Sequence, residues 1–207
     1  MRLQETLRSW GVDDDSEIIV YDGAASVAAA RAWWVLRWAG LSRVRVLDGG
    51  FAAWSQASEP VESGPALRPA LPGTVTVRAG SLPALDAAAA AVLGEQGRLL
   101  DVRAPERYRG EVEPIDAVAG HVPGALNLPT TGTVTSSGAF KSRTGLHRHF
   151  AAAGLQAGQP EVGVYCGSGV TAAQTMLALH EVGIDAVLYP GSWSEWITDP
   201  DRPIGIG

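Results

Sequence analysis

The chain has 207 residues, room for one large domain or two small ones, and its 46% hydrophobic content is that of a globular protein. A net charge of −6 argues against nucleic acid as a partner, and no apolar run reaches the length of a membrane span. The amino end, MRLQETLRSW, has neither the apolar core nor the cleavage site of a signal peptide. The single cysteine excludes an internal disulfide and cysteine-rich zinc sites, so a reducing cytoplasm is the expected compartment. His121, His147, His149 and His180 show no helix-spaced pairing with carboxylates, and neither a metal nor another cofactor is expected. His147 and His149, two apart, read as surface residues of an amphipathic helix.

Residues 3–9 read as a helix ending at Gly11, Glu17 to Tyr21 as a strand, and Ala28 to Ala39 as a helix made apolar on more than one side by Trp33, Trp34, Leu36 and Trp38. Arg43 to Leu47 is a second strand and Phe51 to Ala57 a short helix. Proline-rich residues without periodicity follow. The domain expectation is therefore a first unit over 1–58, a linker over 59–73 and a second unit over 74–207. In the second unit Thr74 to Val77 reads as a strand and Ser81 to Leu93 as an alanine-rich helix capped by Ser81. Leu99 to Val102 is a strand, 105–119 a charged loop or short helix, and Gly120 to Pro129 a turn leading into a strand. Residues 140–153 read as a helix, Val162 to Tyr165 as a buried strand, and 170–182 as a helix. Ala186 to Tyr189 is a last strand and Ser192 to Ile197 a last helix. This alternation predicts an α/β protein, a parallel sheet covered by helices on both faces.

The chain also repeats itself. Val20-Tyr21-Asp22-Gly23 matches Val164-Tyr165-Cys166-Gly167, Gly40 matches Gly183, and Gly49-x-Phe51-x-x-Trp54 matches Gly191-x-Trp193-x-x-Trp196. The chain thus holds two copies of one unit. The first is incomplete, with two strands against five expected in the second, and carries Asp22 where the second has its cysteine. Cys166 sits on a Gly-Ser-Gly turn between a strand end and a helix start. Such a turn gathers backbone N–H groups at one spot, and the helix start adds partial positive charge, so a thiol there is expected to ionise and act as a nucleophile. Elsewhere a lone cysteine reads as a small buried hydrophobe.

These stretches, IIVYDG, RVLDGGFAAW, LLDVRAPERYRGEVEPIDAVAGHVPGALNLP, VYCGSGVTAA and YPGSWSEW, resemble the tandem-domain rhodaneses of bacterial type over nearly the whole chain. That family comprises thiosulfate and 3-mercaptopyruvate sulfurtransferases. The resemblance implies two rhodanese-like domains, the first silent, the second cycling a cysteine through a persulfide. It carries that role to Cys166, a substrate-anion contact to Arg107, and the active-site loop to Gly167, Ser168, Gly169, Val170 and Thr171. Asp101 and Arg103 match a family Asp-x-Arg and are expected to organise the pocket. The implied partners are a small sulfur donor, a cyanide or thiol acceptor, and a thioredoxin-like reductant. The family's first domain begins with a strand, an Asp-x-Arg and a Gly-His-x-Pro-Gly-Ala segment that have no counterpart here, and an arginine of some animal members falls at Ile115 or in a gap.

Sulfur transfer needs a thiolate, a cation for the donor's anionic group, and donors for an anionic persulfide; Cys166, Arg107 and the 167–171 turn supply one each. Ser168 or Thr171 could pass a proton to a leaving enolate; otherwise they are a turn residue and a helix cap. For Arg103, Arg107 and Arg109 the competing reading is a solvated ion-pair face with Glu106, Glu111 and Glu113, and for His121 support of the Pro123-Gly124 turn. The neutral Gly167-Ser168 leans toward mercaptopyruvate over the thiosulfate dianion. Three rivals differ in class. A dinucleotide fingerprint at Gly167-x-Gly169-x-x-Ala172 leaves too few residues beyond it. A cysteine phosphatase needs an arginine where Ala172 stands. A non-catalytic persulfide carrier or partner-binding module, inert through the missing segment, would expose a sheet edge and the Trp33, Trp34 and Trp38 helix faces.

Overall fold

The structure, a computed structural model, describes residues 2–65 and 71–207, so residues 66–70 of the expected linker lie outside it. The chain divides into two compact units, Met1–Pro83 and Ala84–Gly207.

The first unit holds α1 (Arg2–Ser9), β1 (Ile18–Val20), α2 (Val27–Trp38), β2 (Val44–Val46) and α3 (Gly50–Gln56). The strands pair in parallel, Ile18 opposite Val44. The pleat sends alternate residues to opposite faces. α2 packs on both strands and buries Ala29, Ala30, Trp33, Trp34 and Leu36. Trp33 and Trp34 are therefore closed, against expectation. The open side of this sheet is the one turned away from α2, where Ile19, Tyr21, Phe51, Trp54 and Val61 stay exposed. With Leu47 they line an apolar groove of about 430 Å³.

Thr74 to Val77 is not a strand. Its main chain is held by other parts of the same unit: Asp13 Oδ1 accepts the Thr74 N–H at 2.7 Å, Asp14 Oδ1 the Thr76 N–H at 2.9 Å, and Val12 O the Val75 N–H at 3.1 Å. Arg78 and Ser81 donate their N–H groups to Ala39 O and Trp38 O at the end of α2. Residues 73–81 thus belong with the first unit, and the second begins ten residues beyond the expected boundary at 74.

The second unit contains α4 (Ala87–Glu95), β3 (Leu99–Asp101), α5 (Pro105–Tyr108), β4 (Leu126–Asn127), α6 (Arg143–Ala152), β5 (Val162–Tyr165), α7 (Val170–Glu181), β6 (Ala186–Leu188) and α8 (Ser192–Trp196). Its four strands lie in the order β4-β3-β5-β6, every pair parallel. α4 packs on β3 and β5, and α7 on β5 and β6, so the sheet is helix-flanked as expected. The α4 start is later than expected because Asp86, not Ser81, is the cap: its Oδ1 accepts the Ala89 N–H at 2.8 Å. β5 is central, and all four of its residues are buried. Gly163 on it admits Leu85, Leu93 and Leu99, whose methyl groups lie 2.8 to 2.9 Å from where a Cβ would stand. A larger residue there would push α4 off the sheet.

The repeat is visible in the coordinates. Tyr21, Leu47, Phe51 and Trp54 of the open groove correspond by the sequence match to Tyr165, Tyr189, Trp193 and Trp196. In the second unit these four are core residues, packed with Ala87, Ala90, Leu93 and Leu99. The counterpart of the groove is filled by α4 and β3, elements for which the described first unit has no copy.

Candidate active site

The chain leaves β5 at Tyr165 and turns at once into α7. Gly169, at the helix start, has φ +74, and a Cβ on it would come within 2.4 Å of Pro190 O, so only glycine fits. The turn brings the Gly169 N–H to Cys166 Sγ at 3.1 Å, a donor aimed at the sulfur from the positive end of a twelve-residue helix. Cys166 is 2% exposed.

The backbone of Cys166 is fixed by the segment after β6. Its N–H donates to Ser192 Oγ at 3.1 Å, and that hydroxyl donates to Tyr189 O at 2.9 Å. Its carbonyl accepts the Trp193 N–H at 3.0 Å. Ser192 is fully buried at φ +56, a left-handed conformation that a side chain adopts at a cost. Gly167 O accepts the N–H of Ser194 at 2.9 Å, and the Ser194 hydroxyl lies between this oxygen, at 2.8 Å, and Asp116 Oδ1, at 2.7 Å. Ser168 is exposed and Thr171 partly so. Neither hydroxyl has a hydrogen-bond partner among the described residues. Val170, the first residue of α7, is partly exposed.

Arg107 lies beside this turn. Both Nη atoms stand 3.7 Å from the position of a Cβ on Gly167. Its Nε and Nη2 meet Glu113 at 3.1 and 2.6 Å, and Nη2 also meets Asp116 Oδ2 at 3.2 Å. Nη1 has no hydrogen-bond partner among the described residues. Burial works against charge on Glu113. The hydrogen bond from Arg107, the N–H groups of Asp116 and Ile115, and the Arg107 charge more than offset it, holding this carboxyl below the ordinary range.

Asp101 and Arg103 do not reach the turn. Arg103 spends its guanidinium on both Asp101 oxygens, on Gly120 O at 2.6 Å and on Glu113 at 3.3 Å, and packs over Trp193 with its Cζ 4.9 Å from the ring centre. Its side chain is 1% exposed, which leaves no edge for a ligand. The solvated ion-pair reading holds for Arg109, paired with Glu111 at 2.7 Å and exposed; it fails for Arg103 and Arg107, whose partners are buried. His121 braces a different place from the one expected. Its Nδ1 lies 2.7 Å from Tyr108 O, its ring stacks on Tyr108 at 3.8 Å, and its main chain pairs with Gly205. His147 is exposed as read. His149 is not: it is half-buried against Gly132, and burial, with Lys141 nearby, holds its pKa below the usual value.

Glu113 reads from the sequence as an ion-pair partner, but Asp116, Ser192 and Ser194 escaped the sequence reading. A signal existed for the serines. GGFAAW and GSWSEW are repeat counterparts, and Ser192 and Ser194 replace Gly50 and Ala52 only in the copy that has the cysteine.

The α/β fold thus sets a cysteine at the carboxyl end of a central parallel strand, on a glycine-lined helix start and beside a carboxylate-anchored arginine. A Rhodanese-like domain profile matches residues 2–57 and 85–199, and the chain belongs to that family. SseB of Mycobacterium tuberculosis, provisionally named a thiosulfate sulfurtransferase, is 47% identical over 99% of this chain and 72% of its own length. A Pseudomonas aeruginosa protein provisionally named a 3-mercaptopyruvate sulfurtransferase is 46% identical over 97% of this chain and 72% of its own. The crystal structure of the Escherichia coli 3-mercaptopyruvate sulfurtransferase SseA matches with a TM-score of 0.79 and 32% identity, over 94% of this chain and 73% of that one. Other solved structures match with TM-scores near 0.88 but are about twice as long, the chain covering 54% and 52% of two of them.

Proposed function

We propose that this sulfurtransferase moves a sulfane sulfur from 3-mercaptopyruvate, or less readily thiosulfate, to cyanide or a thiol through a persulfide on Cys166. The observation that carries the reading is the sulfur itself, met by the Gly169 N–H at a helix start with Arg107 beside the next residue. The Cys166 thiolate attacks the donor's sulfur. With 3-mercaptopyruvate an S–S bond forms as the C–S bond breaks, and the electron pair leaves with pyruvate as its enolate, which takes a proton; with thiosulfate the donor's own S–S bond breaks and sulfite leaves with the pair. Ser168 and Thr171 are the hydroxyls near enough in sequence to supply the enolate's proton. The acceptor then attacks the outer sulfur and returns the thiolate. Arg107 holds the donor's carboxylate with Nη1; Gly167, Gly169 and Val170 shape the turn that receives the persulfide; Asp101 holds Arg103, which in turn holds Glu113, the anchor of Arg107.

Donor preference follows from charge. Asp101, Glu113 and Asp116 face only Arg103 and Arg107, so the site has no surplus positive charge for a dianion. A monoanionic donor loses less. No helix among the described residues is long and apolar enough to cross a membrane. A reducing cytoplasm with a thioredoxin-like reductant as acceptor suits a free thiol. Incubation with donor should add the mass of one sulfur at Cys166, and cyanide should remove it. Absence of that adduct with both donors overturns the reading.

A second reading, a persulfide carrier that turns over no donor until a partner covers the first unit, is favoured by the exposed Ile19, Tyr21 and Phe51. A chain that accepts persulfide from a donor protein yet is inert with both small donors would select it.

A further inference from the structure

The arginine and the sulfur belong to different parts of the second unit. Arg107 is on α5, four residues long, at the start of a charged loop; Cys166 is on the turn after β5. Two carboxylates fix the guanidinium from different sides. Glu113 ties it toward β3, because Arg103 Nη1 also reaches Glu113, at 3.3 Å. Asp116 ties it toward the sulfur. Its Oδ2 accepts from Arg107 at 3.2 Å, and its Oδ1 accepts from Ser194 Oγ at 2.7 Å. Ser194 in turn sits on Gly167, the residue after the cysteine, through its N–H at 2.9 Å, with its hydroxyl oxygen 2.8 Å from the same carbonyl.

A serine hydroxyl has one proton, and here it has two acceptors. The carboxylate is the stronger, and Gly167 O is already supplied by the Ser194 N–H, so the proton goes to Asp116. A second link between the same segments, Trp193 Nε1 to Val118 O at 2.8 Å, holds only main chain. Ser194–Asp116 is the link that reaches the group touching the guanidinium. The silent copy has Ala52 at the Ser194 position and Asp22 at the cysteine position. The hydroxyl is present where there is a sulfur to align, and absent where there is none.

We propose that Ser194 and Asp116 are positioning residues that set where the Arg107 guanidinium stands relative to Cys166, and so how well an anionic donor is aligned on the sulfur. This rests on the reading of Arg107 as the anion contact.

The test uses the whole chain and two near-isosteric alkylating reagents, anionic iodoacetate and neutral iodoacetamide. The ratio of their rates at Cys166 reports the arginine's hold on an anion next to the sulfur and needs no turnover. Ser194→Ala should lower that ratio about three- to tenfold, leaving the iodoacetamide rate within about twofold. Ser194→Thr, which keeps a hydroxyl, should restore it. In an Arg107→Ala background Ser194→Ala should change nothing further. The donor KM should rise with the fall in ratio while kcat holds. A ratio unchanged in Ser194→Ala, or both reagents slowed equally, overturns the positioning role and leaves the Arg107 reading standing. A wild-type ratio no higher than that of Arg107→Ala overturns the Arg107 reading and this inference with it.

Discussion

The two copies use one strand-turn-helix device for opposite ends. In the second unit the turn after β5 presents a thiol, with Gly169 N–H on the sulfur. In the first unit the turn after β1 presents Asp22, whose carboxylate accepts from Ala24, Ser26 and Ala29 N–H at 2.8, 3.0 and 2.9 Å. Burial opposes ionisation of Asp22, and these N–H groups, with that of Ala28, more than offset it, so its carboxyl is held below the ordinary range. The shared frame extends further. Phe51 N–H donates to Asp22 O at 3.0 Å as Trp193 N–H does to Cys166 O, and Gly50 and Ser192 share a left-handed φ near +57. The difference teaches that the anion cradle is a property of the backbone turn, and that chemistry is decided by which side chain is put into it.

Four experiments would sharpen or break that comparison. Cys166→Ser should reduce sulfur transfer to background while leaving the fold, measured by thiocyanate formation from both donors; retained turnover would end the mechanism. Arg107→Ala should raise the donor KM about tenfold or more with a smaller change in kcat. An unchanged KM for both donors would remove the arginine from binding. Gly169→Ala should destabilise the second unit by about 2 kcal/mol or more, since it adds left-handed strain and a clash with Pro190 O. Its repeat counterpart Ala25, already left-handed at φ +54, should accept glycine within about 0.5 kcal/mol. Urea unfolding of each variant checks the pair.

The last experiment concerns acid. Asp22 and Glu113 are both held below their ordinary values. Each therefore contributes stability that is complete above the unfolded carboxylate range, about 4, and is lost as pH falls through the lowered folded value. Asp22→Asn should flatten that acid-side loss, shown by urea midpoints at neutral pH and below 4, and should leave sulfur transfer at neutral pH unchanged.

Much of this was legible in the chain because it is local. Alternating strand and helix patterns, the cysteine turn and the repeat all lie within short windows. What was not legible depends on contacts between distant segments. Thr74 to Val77 looks like a strand by its β-branched residues, yet its N–H groups go to Asp13, Asp14 and Val12, so local propensity lost to tertiary partners. Trp33 and Trp34 read as surplus apolar surface, but α2 turns them inward, and the exposed residues are Ile19 and Tyr21 on the other face of the sheet. Asp116 and Ser194 are 78 positions apart, and no spacing rule connects them.

The Asp22 carboxylate also has a consequence for traffic at the first unit. It is a resident anion attached by its own main chain, so its effective concentration exceeds that of any small oxyanion or thiol-derived ion passing in solution. The site is plugged by its own occupant. A small anion arriving there finds the N–H groups of Ala24, Ser26 and Ala29 already taken.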